Sequence, residues 1–471
     1  MKIVLSVKNF GKISQASVDI SRFTIFVGNN NSGKTYLMQL IYGLLQQIRE
    51  LKSNTIRMDF INLEHDFMLD SEMYDQINNS LNVYFQEKKE EVVKQIFHEN
   101  IPIEQLHVKL IPEENDHIEV KYRLQEDHKI RLEDMKISKT PIVWTTVLYK
   151  QNDQTKFHEE FGMLQNKDPK NDMIRRAQIY RELLCSIFLT GTMKSADRIL
   201  YLPASRPGIL LLYKYFFSER DQEKGAYMIE AADKITKVPV ELYLSGDEDN
   251  INDMGLTAPV YDFLQFLLRY SQGEGTDFDK DLLSFIQNHL LDGSIESTMG
   301  GFVYKQNNSD TVVPLYLASS MVNELTPIVM ALSNRVRYRY ILYDEIETCL
   351  HPMKQKEMAR LLNRMSNQGY RLIVSTHSDT MAAKLNNLFL LSFMEDKEKQ
   401  KEKMQRLGLE EADLLQNEKV NVYQFTNQPN GTSVVEEMNF QTTPYMGYDF
   451  SMFAESSEEL YKESEIILED E

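Results

Sequence analysis

At 471 residues the chain has room for two to three domains and a sizeable core, and 42% hydrophobic with 10% aromatic residues is a globular composition. A formal net charge of −19 argues against a protein that coats DNA through its general field, while leaving room for a local basic track. Met1-Lys2-Ile3-Val4 reads as the start of a strand, so no signal peptide is expected. No apolar run reaches membrane-spanning length, since Ile209 to Phe217 is short and broken by Lys214.

The first informative element is Phe23-Thr24-Ile25-Phe26-Val27, a β-prone run that ends in Gly28-Asn29-Asn30-Asn31-Ser32-Gly33-Lys34-Thr35. Beyond it Leu37, Leu40, Ile41, Leu44, Leu45 and Ile48 recur at helical spacing. A Gly-x4-Gly-Lys-Thr run on a strand-to-helix turn is a phosphate cradle, whereas the same letters elsewhere are often chance. Gly28 and Gly33 let the backbone bend so that its N–H groups face β-phosphate oxygens, and the helix N-terminus adds partial positive charge. Lys34 has the reach for the β- and γ-phosphates and Thr35 the hydroxyl for Mg²⁺, so a nucleoside triphosphate is the expected ligand.

Residues 49–195 read differently. Val92, Val93, Ile96 and Phe97 lie within Glu- and Lys-rich helical sequence. Strand-like runs follow at His107–Ile111, Ile118–Tyr122, Val143-Trp144 and Val147–Tyr149, and a further helix is expected at about 172–189. No heptad persists for three repeats, which excludes a long coiled-coil arm and leaves a compact insertion, suited to docking or oligomerisation. Gly246 to Gly255 and Gly273 to Asp279 read as acidic surface loops around a helix carrying Val260, Phe263, Leu264, Leu267 and Leu268. Arg335, Arg337 and Arg339 alternate along one face of an extended segment; a solvated strand entry is favoured over a phosphate contact.

Tyr340-Ile341-Leu342-Tyr343-Asp344-Glu345 is an apolar strand ending in adjacent carboxylates. Asp344 suits a ligand of Mg²⁺ through water, and Glu345 suits the base that orients or deprotonates an attacking water. Cys349 follows closely and reads as a small apolar filler. With Cys185 it shows neither a pairing pattern nor zinc spacing, which suits a reducing cytoplasm. After a helix with Met358, Leu361, Leu362 and Met365 comes the strand Leu372–Ser375 and then Thr376-His377-Ser378-Asp379. A histidine just past a strand end, one strand beyond the Asp-Glu pair, is where a γ-phosphate sensor would sit. Charged sequence from Glu398 to Arg406, strands near Val420–Tyr423 and Thr432–Val435, and an acidic tail from Glu455 to Glu471 complete the chain. A solvated terminal helix is the favoured reading of that tail over a partner-binding one.

Together GNNNSGKT, YDEIETCLHP and VSTHSD resemble the ABC-type ATPase heads of the SMC-like, overcoming-lysogenization-defect-like group. These are AAA-labelled bacterial ATPases found in phage-defence operons, among them the ATPase subunits of PARIS-type systems. Val7–Gly11 ahead of the cradle strand, Tyr201–Arg206 and Leu317–Leu325 agree with it. The resemblance implies an α/β fold, a P-loop head with a mixed sheet flanked by helices, built from residues 1–48 and 196–440. A compact α+β insertion at 49–195 and an acidic tail at 441–471 complete the organisation. It also implies head dimers that enclose ATP and Mg²⁺ between one subunit's cradle and the other's signature loop, to which Ser319-Ser320 corresponds. Those serines are also an ordinary N-cap pair, and the two roles are compatible. Met321 replaces the signature glycine and Ile346 a common proline, departures that bear on hydrolysis rate more than on binding.

Relatives often carry a Toprim nuclease after the histidine; its spaced carboxylates are missing from this sequence. The resemblance therefore implies a slow, cytoplasmic sensor-switch ATPase that governs a separately encoded effector, a nuclease being one such class, in antiviral defence. The alternative is a RecF-like repair ATPase that clamps DNA directly.

Overall fold

Helices cover both faces of the sheet that holds β3 (Phe23–Gly28), so all six of its residues are buried and its sequence runs apolar without alternation. In this computed structural model the described residues are 2–50, 65–131, 137–164, 174, 179, 198–218, 255–270, 277–298, 301–309, 311–416, 420–441, 447–453 and 455–468. The sheet has nine strands in the order β5 (Gln105–Ile111), β1 (Lys2–Phe10), β2 (Ile13–Asp19), β16 (Ser433–Met438), β15 (Val420–Asn427), β3, β14 (Arg371–Thr376), β13 (Tyr338–Tyr343) and β9 (Arg198–Leu202). β15, β14, β13 and β9 run parallel with β3, whereas β1 pairs antiparallel with both β2 and β5.

The period of two divides the core. Phe26, Tyr201, Tyr340 and Leu342 pack with Leu37, Leu40, Ile41 and Leu44 of α1 (Lys34–Glu50). Ile25, Val27, Ile341 and Tyr343 point the other way. They pack with α6 (Ser320–Ser333), α7 (Pro352–Asn367) and α8 (Asp379–Ser392). On this second side α3 (Arg206–Ser218), α4 (Ala258–Leu268) and α5 (Asp277–Phe285) add to the layer, and α5 continues as a π-helical turn, Ile286–Leu291. α9 (Lys397–Leu407) and α10 (Glu455–Leu468) are amphipathic or polar helices of the C-terminal part. On α10, Leu460, Tyr461, Ile466 and Ile467 are exposed, in keeping with a solvated terminal helix.

The expected insertion at 49–195 does not stand apart as one unit. β5 pairs along its whole length with β1, from Lys2↔Ile111 to Lys8↔Gln105, and so belongs to the head sheet as its edge strand. α2 (Ser71–Phe97) lies against that edge. Asn78 accepts from the Leu110 N–H at 2.7 Å and donates to its carbonyl at 2.9 Å; Asn82 accepts from Val108 at 2.9 Å and Gln86 from Leu106 at 3.0 Å. These amides occupy donors that an open edge strand would offer to another chain. Among the described strands of the insertion, β4 (Phe67–Met68), β6 (Asp116–Arg131), β7 (Ile137–Gln151) and β8 (Gln154–Leu164) form a separate sheet, bound to the head core through Ile118, Val120 and Val147.

Two further expectations are corrected. From Asp277 the acidic stretch is helical, and Asp279 is buried, not displayed on a loop. Its partner is Arg339, whose guanidinium lies 3.4 Å from Asp279 and over the Tyr370 ring at 4.5 Å. Arg339 is thereby withdrawn from the expected row of three arginines; Arg335 and Arg337 are exposed ahead of β13. A small sheet of β10 (Gly293–Thr298), β11 (Gly301–Gln306) and β12 (Val312–Pro314) leads into α6. Most of the helix expected at 172–189 and of the loop at 246–255 lies outside the described residues.

Candidate nucleotide site

The cradle is shaped by two glycines. Gly28 has φ +141° and a side chain there would run into the Phe425 carbonyl of neighbouring β15; Gly33 has φ +96° and a Cβ would sit 2.9 Å from Ile13. Between them Asn29, Asn30, Asn31 and Ser32 turn the chain into α1, whose first N–H groups have no acceptor within the helix. Lys34 is only 4% exposed. Its Nζ donates to the carbonyls of Gly28 and Asn29 at 2.8 Å each and to Ser32 Oγ at 3.2 Å. Burial pushes its ammonium down to about 8, against an upward pull from Asp344, Glu345 and Glu347.

The carboxylates at the end of β13 meet this cradle. Asp344 is 1% exposed and both of its oxygens accept hydrogen bonds. Thr35 Oγ1 donates to Oδ2 at 2.7 Å, the Tyr201 hydroxyl to the same oxygen at 3.1 Å, and Ser375 Oγ to Oδ1 at 2.5 Å. Glu345 turns outward, with φ +47° and its N–H donating to Ser375 Oγ at 2.8 Å. Its Oε1 lies 3.4 Å from His377 Nε2, and that contact, ahead of opposing burial, holds the carboxyl below the usual range. His377 Nδ1 lies 2.9 Å from the Gly28 carbonyl oxygen and 3.3 Å from Lys34 Nζ, a contact to an acceptor and a contact to a donor, so its tautomer decides which of the two is a hydrogen bond. The His377 backbone N–H donates to Glu347 Oε1 at 2.5 Å.

Lys34, Thr35, Asp344, Glu345 and His377 thus converge around Gly28, although they come from three separate parts of the sequence. Ser319 and Ser320 do not join them. Ser319 caps α6 by accepting from the Val322 N–H at 3.4 Å, and both serines are exposed. Among the described residues, neither bonds to the 28–35 turn of its own chain. Cys349 is exposed in a left-handed turn, φ +58°, and does not fill the core as expected from its size.

Several contributors had no assigned role in the sequence. Tyr201 and Ser375 complete the shell of Asp344, Lys12 reaches over from the β1–β2 turn to the Asn31 carbonyl, and Arg206 donates to the backbone of Asp344 and Glu345. The Tyr201–Arg206 run was the one available signal for two of them.

The residues fit a magnesium-bound nucleotide. Among the described residues Lys34 is a buried cation with no carboxylate within ion-pair distance, which suits a polyanion. No group of three or more His, Cys, Asp or Glu side chains is assembled to cage a metal among the described residues. The Thr35–Asp344 pair is the arrangement expected where phosphates and water supply the other Mg²⁺ ligands.

A strand, a glycine-bounded cradle, a helix and, one strand further across the sheet, an Asp-Glu strand define a P-loop ATPase head of ABC type, a mixed sheet flanked by helices. The chain belongs to the AAA ATPase domain family, whose model matches residues 1–206 and 260–382. Among solved structures it is similar to an Smc head bound to the C-winged helix domain of ScpA, at 14% identity and TM-score 0.35, over 93% of this chain and 97% of that one. An Smc head with an extended coiled coil bound to the C-terminal domain of ScpA, derived from Pyrococcus furiosus, gives 12% and 0.34 over 98% of each chain. The SMC head domain from Thermotoga maritima gives 11% and 0.32 over 93% and 100%. No curated protein matches the chain. Among the described residues no helix is long and apolar enough to cross a membrane.

Proposed function

We propose that this chain is a nucleotide-operated switch: it binds ATP with Mg²⁺, hydrolyses it slowly, and through closure of two heads holds or releases a separately encoded effector protein. The observation that carries the reading is Lys34, a buried ammonium without a carboxylate partner, set beside the Thr35–Asp344 pair. Lys34 binds the β- and γ-phosphates; Thr35 and Asp344 hold the metal, which when bound would offset phosphate charge. Glu345 takes a proton from the attacking water, and His377 keeps that carboxylate oriented and faces the γ-phosphate. Ser319 and Ser320, exposed at the start of α6, are available to the nucleotide of a second head. The likeness of the three sequence motifs to phage-defence ATPases supports an effector in antiviral defence, with a nuclease as its class.

The test is to purify the chain alone, and together with the product of its genomic neighbour. Nucleotide binding, turnover, and cleavage of DNA and RNA across divalent metals are then measured. Slow turnover without cleavage by the chain alone is expected, with cleavage or toxicity appearing only with the neighbour. Robust cleavage by the chain alone, or turnover that depends on DNA, would overturn the switch reading.

A further inference from the structure

Arg206 is fully buried at the start of α3, and its guanidinium spans three elements. Nη1 donates to the carbonyls of Pro203 at 2.8 Å and Asp344 at 2.5 Å, and Nη2 donates to the carbonyl of Glu345 at 2.7 Å. Nη2 also pairs with Glu324, and the plane of the group lies over the Tyr343 ring at 4.4 Å. A side chain so enclosed has no route to a phosphate. Its donors go to the backbone of the carboxylate turn.

That turn needs holding. Glu345 is a non-glycine residue at φ +47°, a conformation kept only where the surroundings over-determine it. Ser375 fixes its N–H and Arg206 fixes its carbonyl, so the peptide on each side of the Glu345 Cα is anchored. Glu324 lies on α6 five residues after the Ser319 cap, and it too is fully buried. Buried ion pairs give little net stability, because desolvation offsets attraction. What this one supplies, and an apolar pair could not, is a directional tie between α6 and two consecutive carbonyls.

We propose that Arg206 is the positioning residue for Glu345, and that Glu324 links this clamp to α6, so that displacement of the α6 N-terminus reaches the Glu345 carboxylate. The inference rests on Glu345 being the general base. Arg206→Lys keeps the charge opposite Glu324 but cannot span both carbonyls. It should fold, bind ATP within about twofold of the parent, and lose turnover about tenfold or more, because the base is misplaced and the phosphates are not. In a Glu345→Gln background the same change should cost nothing further, a non-additivity that a general loss of structure would not produce. Glu324→Gln should give a smaller loss with the same non-additivity.

Parental turnover in a folded Arg206→Lys chain, or losses that multiply in the double variant, overturn the inference. Should Arg206→Lys fail to fold, parental turnover in Glu324→Gln overturns it instead. Absence of ATP binding in the parent sinks the nucleotide reading together with this one, whereas a normal Arg206→Lys enzyme sinks this one alone.

Discussion

Thr35 Oγ1 donates to Asp344 Oδ2 at 2.7 Å across 309 positions of sequence, and so joins the cradle helix to the carboxylate strand by one bond. Because β14 lies between β3 and β13, the two ends reach each other over a strand that carries Ser375 and leads to His377. Binding and hydrolysis should therefore be separable by substitution. Lys34→Ala should abolish ATP binding, since it removes the cradle's buried cation. Glu345→Gln should bind normally and turn over on the order of a hundredfold more slowly or worse, a loss of a few kcal/mol. Equilibrium binding and steady-state phosphate release check both; normal release by Glu345→Gln would transfer the base assignment to Glu347.

The lowered Lys34 value sets a pH dependence. Nucleotide phosphates favour the ammonium, so binding above about 8 must take up a proton, while binding nearer pH 7 need not. The Kd for ATP should be flat between about pH 7 and 7.5 and weaken by up to about tenfold per pH unit beyond 8. In the nucleotide-free chain the cost of the buried ammonium is present below about 8 and is relieved as pH rises toward its ordinary 10.5. A flat Kd through pH 9 would show that Lys34 is not the group that meets the phosphates.

Ser320 is exposed and begins α6, so Ser320→Arg should leave the fold intact. It should block ATP-dependent closure of two heads by adding bulk where the opposing γ-phosphate would dock. Mixed with Lys34→Ala it should recover part of the turnover, because one composite site of the mixed dimer is then intact. Mixed dimers that form and show no recovery would count against a shared site.

Asn78→Ala should unpair the Leu110 N–H and carbonyl at the β5 edge and destabilise the fold by about 1–3 kcal/mol. Denaturant unfolding measures it. ATP affinity should not change, since four strands, β1, β2, β16 and β15, separate β5 from β3 in the sheet order.

What could be read from the sequence was whatever is local. The strand-cradle-helix run, the Asp344-Glu345 pair and the helix after Ser319 each sit within a few residues and carry their periodicity with them. What could not be read was set by partners far away. Alternation placed Arg335, Arg337 and Arg339 on one face, yet Asp279 and Tyr370 withdraw Arg339 from solvent. Arg206 had no role assigned in the sequence, because its acceptors at 344 and 345 and its partner at 324 lie more than a hundred positions away. The edge role of β5 was hidden for the same reason: its alternating pattern fits any half-buried strand, and only pairing with β1 assigns it to the head.

The amide ladder of α2 on β5 has a built-in length. Four helical residues advance about 6.0 Å, whereas two strand residues advance about 6.6 Å, so successive rungs slip by about 0.6 Å. From Asn78 through Asn82 to Gln86 the slip reaches about 1.2 Å, close to one C–C bond. The third rung is a glutamine, one methylene longer than the two asparagines before it, and it still reaches Leu106. The next position in step is residue 90, a glutamate, and the next strand N–H in step, that of Glu104, already donates to the Lys8 carbonyl at 2.9 Å, so no donor is left for a fourth rung. A helix can therefore seal a strand edge by this device for about three rungs, and β5 with its seven residues is matched to that span.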